Sequence, residues 1–96
     1  MSLMIVGADH LGNIKDNLKS IGVNDITHLS GRNKGVFQNF KLPVSIDAIL
    51  VLTDYIHHTA MHVVKREAKE KNKDVIYARR SWACIYKKLE QRKLLT

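Results

Sequence analysis

The stretch TDYIHHTAMH, residues 53–62, places one acid and three histidines in ten positions directly after the apolar run AILVL. A carboxylate accepts hydrogen bonds, and a neutral imidazole donates from one nitrogen while accepting at the other. His58 and His62 stand four apart, a spacing at which two rings on one helix can share a metal ion, with Asp54 or Asp9 as a third ligand. No His-Glu-x-x-His pattern accompanies them, and Glu67 lies too far along the chain to complete one. We read the cluster as polarity for a ligand and assign no metal: Asp54 accepts from a hydroxyl or amine, and His58 at a helix start offers a donor and an acceptor.

The second chemical feature is ARRSW at residues 78–82. Arg79 and Arg80 precede a helix start at Ser81, so guanidinium groups and free helix N–H donors can converge on one phosphate or carboxylate. Cys84 follows in the first turn of that helix, but no base stands at a defensible spacing, and it reads as a packing residue. The turn GADHLG at residues 7–12 resembles the start of a dinucleotide-binding unit, yet it lacks the G-x-G-x-x-G pattern. The second strand also ends in Ser30 and Arg32, without the acid that would hold a ribose.

Four segments rich in β-branched residues must position these groups: LMIVG, NDITHLS, AILVLT and DVIYA. Three helical patterns alternate with them. Leu11, Ile14, Leu18 and Ile21 recur at helical spacing, with Asp9 placed to cap the start and Gly22 to end the helix. Ile56, Ala60, Val63, Val64 and Ala68 mark a second helix expected to fray near Asn72. Trp82, Ile85, Tyr86 and Leu89 form the buried stripe expected of a closing helix capped by Ser81. Residues 31–47 have no clean period, and Pro43 excludes a regular helix there, so a long loop with one helical turn is expected.

Alternating strands and helices predict an α/β fold: a small Rossmann-like three-layer domain on a parallel four-stranded sheet. Right-handed crossovers make 2-1-3-4 the simplest strand order. Ligands of such sheets settle beyond the carboxyl ends of the strands. Gly7, Asp9, His10, Thr53, Asp54, His58, Arg79, Arg80 and Ser81 should therefore share one edge, with at least one of His57 and His58 at the pocket and His58 nearer it than His62.

Ninety-six residues suit one domain, 1–96, and MSL before a second methionine is compatible with an expression scar. Neither a signal peptide nor a membrane span is visible, and the single cysteine fits a reducing compartment, so a cytoplasmic protein is expected. The net charge of +7 is uneven: residues 1–48 carry five bases and four acids, residues 49–96 eleven and five. The basic half favours an anionic partner. One reading is a small anionic metabolite or nucleotide in the pocket; the other is nucleic acid held by Arg32, Lys34, Lys65, Arg66, Lys69, Arg79 and Arg80. Tyr77, Trp82 and Tyr86 near the sheet's last edge suggest a homodimer.

The ordered pieces resemble an uncharacterised bacterial family, domain of unknown function 2325, over nearly the whole chain. The resemblance is carried by LPVSIDAILVLTDYIHH and VKREAKEKNKDVIYARRS, with Thr53, Asp54 and His58 matching a Thr-Asp-x-x-x-His signature and Arg80 and Ser81 an Arg-Ser pair. Ala8 departs from a frequent second glycine, and Trp82 from a frequent small residue, so close backbone approach of a ligand is in question at both. The resemblance implies a small Rossmann-like domain and supplies no activity, reaction or cofactor.

Overall fold

The computed structural model describes residues 1–30, 37 and 39–92 of the protein. Its four strands are β1 (Ser2–Val6), β2 (Asp25–Leu29), β3 (Ala48–Leu52) and β4 (Asp74–Ala78). They form one wholly parallel sheet in the order β2-β1-β3-β4. Three helices are present among the described residues: α1 (Asn13–Ser20), α2 (His58–Lys71) and α3 (Trp82–Gln91). The expected strand order is therefore the one found.

Alternation along the strands divides the core into two clusters. Leu3, Ile5, Leu50, Leu52 and Ile76 face Ile14 and Leu18 of α1 and Ile85 and Leu89 of α3. Met4, Val6, Ile49 and Val51 face Ala60, Val64 and Ala68 of α2, together with Phe37, Phe40, Leu42 and Ile46. Direction of travel accounts for this split. The chain moves one way across the sheet from β1 to β2 and the opposite way from β2 to β3 and β3 to β4, so right-handed connections fall on opposite faces. All five residues of β3 are buried, as a central strand covered on both faces requires.

The helix ends differ from expectation in instructive ways. Gly12, not Asp9, occupies the position before α1, and no side chain caps it. Gly22 ends α1 as expected, at φ 101°, with Val23 N–H donating to the Leu18 carbonyl and Gly22 N–H to that of Lys19. The second helix does not fray: Asn72 adopts φ 58°, and Lys73 N–H closes on the Ala68 carbonyl in the same six-to-one pattern. Ser81 precedes α3 without a side-chain cap bond. Ile85 and Leu89 are buried and Trp82 is partly so, but Tyr86 is 39% exposed and leaves the expected stripe. The expectation for residues 31–36 lies outside the described residues. No helix of the described residues is long and apolar enough to cross a membrane.

One buried charge braces irregular backbone away from the strand ends. Glu67 is 1% exposed on α2, where its Oε1 accepts the Leu42 N–H at 2.7 Å and lies 3.4 Å from Lys71 Nζ. This bond ties the segment entering β3 to the helix that leaves it. The Leu42 N–H holds the carboxyl below its ordinary pKa range; desolvation opposes the shift, and Lys71 assists it. A lowered folded-state pKa gives stability that is present above the unfolded value, about 4.3, and lost as pH falls through the folded value. Urea unfolding should therefore show wild type more stable than Glu67→Gln at pH 7, with the difference shrinking as pH falls below ~4. A pH-independent difference would contradict this assignment.

Candidate functional site

Parallel pairing brings the β1–α1, β3–α2 and β4–α3 turns to one edge, because Val6 pairs with both Leu29 and Val51 while Leu52 pairs with Ala78. Gly7 to His10, Thr53 to His58 and Arg79 to Trp82 thus lie at the carboxyl end of the sheet. Gly7 is what allows the first turn to sit so close. At φ 115°, a Cβ there would stand 2.9 Å from the Leu52 carbonyl oxygen and 3.3 Å from that of Tyr55. The turn is then bonded on both sides, with Gly7 N–H donating to Leu29 O and Ala8 N–H to Tyr55 O, each at 2.9 Å. Ala8 follows at φ 63°, a left-handed conformation where glycine is favoured.

His28 supports this turn from β2. Its Nε2 lies 2.9 Å from the Gly7 carbonyl oxygen and 3.0 Å from that of Ala8, so an Nε2–H donates to both and fixes the tautomer. His28 is not among the residues expected at the site. Its signal was its place near the end of the second strand, where parallel register sets it beside Ile5 and the following turn.

Arg80 joins all three turns. Its backbone N–H donates to Asp54 Oδ1 at 3.0 Å, and its Nε–H donates to the His10 carbonyl at 2.9 Å. Its Nη2 would be 3.4 Å from a Cβ at Gly12, so the guanidinium lies against that glycine. Among the described residues no carboxylate comes within ion-pair distance of the guanidinium, and its terminal nitrogens have no hydrogen-bond partner. The Arg79 carbonyl accepts the Ser81 N–H at 2.7 Å, which tightens the turn that presents Arg80.

Together these residues wall a cleft of about 650 Å³ lined by Ala8, Asp9, His10, Asp54, Tyr55, Ile56, His57 and Arg80. Asp9 Oδ1 also accepts from Ser30 Oγ at 3.2 Å. Beyond the Asp9 and His10 turn lies a second depression of about 510 Å³, reached by Lys15 and His28. Of the residues expected at the site, Asp9, His10, Asp54 and Arg80 line the cleft, and Gly7 shapes it from behind. Thr53 is exposed and does not line it, its N–H donating to the Ala78 carbonyl at 2.9 Å. Arg79 and Ser81 are exposed and do not line it.

The structure distinguishes the two adjacent histidines. His57, not His58, lines the cleft, and its Nδ1 accepts the Thr59 N–H at 3.2 Å as the cap of α2. A helix start fixes this outcome: the capping residue stays at the edge, while the next residue already turns with the helix. His58 instead meets His62, Nε2 to Nε2 at 3.1 Å. Tyr55 and Ile56 line the cleft without having been expected there; as the x positions of the Thr-Asp-x-x-x-His stretch they follow the strand directly. No group of three or more His, Cys, Asp or Glu among the described residues is placed to hold a metal ion.

Residues 2–92 match the sequence profile of a family described as an uncharacterized protein conserved in bacteria, DUF2325. No curated protein and no solved structure matches the chain.

The close approach at Gly7 yields a direct test. Gly7→Ala should lower the unfolding free energy by about 2–4 kcal/mol, from the positive φ and the contact with the Leu52 carbonyl together. Urea denaturation measures it, and a loss within experimental error of zero would show that the turn can move off the strand.

Proposed function

The chain belongs to the bacterial family DUF2325, and we propose that its cleft binds a small anionic metabolite or nucleotide at the carboxyl edge of the sheet. The observation that carries this reading is the state of Arg80. Two hydrogen bonds hold its backbone and Nε, so little side-chain freedom remains to be lost on binding, while its terminal nitrogens keep their four N–H donors. An arginine tethered through Nε to a carbonyl, and not neutralised by any carboxylate among the described residues, is preorganised for an external phosphate or carboxylate.

The remaining lining defines the rest of the ligand. Asp54 would repel a second anionic group, so it faces hydroxyls or amines and confines the anionic group to Arg80. Tyr55, 56% exposed, and Ile56 offer an apolar wall to a ring or a sugar face. A phosphorylated or carboxylated molecule with hydroxyls satisfies all of these groups without a metal. In this reading the protein works in the cytoplasm, and the exposed Tyr86 beside Trp82, ring centroids 5.8 Å apart, offers a surface for a second copy.

Nucleic acid is the second reading, favoured by the exposure of Lys65, Arg66 and Lys69 on α2. Arg32 and Lys34, also assigned to it, lie outside the described residues.

A thermal-shift screen with nucleoside monophosphates, sugar phosphates and hydroxy-carboxylates should give stabilisation by one class at low and at moderate salt alike. Arg80→Ala should weaken that binding roughly 10–100-fold, the loss of charge-assisted hydrogen bonds worth ~1.5–3 kcal/mol. Asp54→Asn should weaken it less and leave the fold intact. Binding only to oligonucleotides, falling steeply with salt and abolished by changes at Lys65, Arg66 and Lys69, would replace this reading with the second.

A further inference from the structure

Outside the cleft, the geometry points to a second site: His58 and His62 together form a two-tooth chelate for a late first-row divalent ion such as Cu²⁺, Ni²⁺ or Zn²⁺. The two Nε2 atoms are 3.1 Å apart, the rings are near perpendicular at 86°, and both residues are exposed on α2. Two nitrogens bound at 2.0–2.1 Å to one ion stand roughly 2.9 Å apart at a right angle and roughly 3.3–3.4 Å apart at a tetrahedral angle. The observed separation lies between these values, so rotation of exposed rings by a few tenths of an ångström serves either geometry.

The pair also has its orientation set in advance. One ring now donates Nε2–H to the other; moving that proton to the donor's own Nδ1 leaves both Nε2 lone pairs for the ion, with no net loss of a proton. The helix enforces the spacing, since positions four apart face each other, and the His57 cap fixes the turn that carries His58. Water completes the coordination, because no third His, Cys, Asp or Glu among the described residues joins the pair. Lys65 and Arg66 on the next turn, and the positive helix start, oppose a cation. They restrict the site to the ions that bind imidazole best, with Cu²⁺ ahead of Ni²⁺ and Zn²⁺.

The site is separable from the cleft, because neither His58 nor His62 lines it. Isothermal titration of the full chain, free of any histidine tag, should show one Cu²⁺ or Ni²⁺ per chain. His58→Ala and His62→Gln should each weaken binding by at least about tenfold, no less than the 10–100-fold typical of losing an outer partner of a metal ligand. His10→Ala should leave it unchanged. Circular dichroism establishes that α2 persists in each variant. Paramagnetic broadening of wild-type amide signals by Cu²⁺ should centre on residues 57–63, a readout that needs no variant. Affinity unchanged in both His58 and His62 variants, or broadening centred elsewhere, overturns the proposal.

Discussion

Parallel pairing is the constraint from which the rest follows. Four strands running one way leave from the same edge, so three turns that are distant in sequence must crowd together there. Crowding brings polar backbone groups out of water, and each needs a partner. The turns provide them for one another: the Ala8 N–H meets the Tyr55 carbonyl, the Thr53 N–H meets that of Ala78, and the Arg80 N–H meets the Asp54 carboxylate. The edge is therefore a bonded rim and not three independent loops.

This rim explains why a chain of 96 residues can hold a preorganised concavity. Gly7 removes the side chain that would push the first turn away from Leu52, and His28 clamps the two carbonyls that this turn exposes. On the far side of the sheet, Glu67 performs a comparable task by binding the Leu42 N–H below α2. Both devices use a polar side chain to hold irregular backbone, and both leave the apolar clusters to secure the layers.

What could be read from the sequence divides along the same line. Strand order, edge and helix positions were legible because apolar periodicity and the right-handed crossover rule determine them almost alone. Asp54 and Arg80 were legible because residues immediately after parallel strands must reach the edge. The capping role of Asp9 failed, since a side chain suited to capping is also suited to long-range bonds, and Asp9 turns to Ser30; Ser81 does stand at the N-cap position of α3, though without a side-chain bond. Choosing between His57 and His58 required knowing where α2 begins to within one residue, which pattern alone does not resolve. Glu67 and His28 were invisible because their partners are backbone groups at distances in sequence of 25 and 20–21 residues.

The central claim is that the tethered Arg80 guanidinium presents an anion site at this rim. A crystal structure of the protein grown with the compound giving the largest thermal shift tests it most directly. The account predicts density for the phosphate or carboxylate at hydrogen-bond distance from the terminal nitrogens of Arg80, with the Nε bond to the His10 carbonyl kept. Density for that compound on the basic face of α2, with the cleft holding only water, would contradict it.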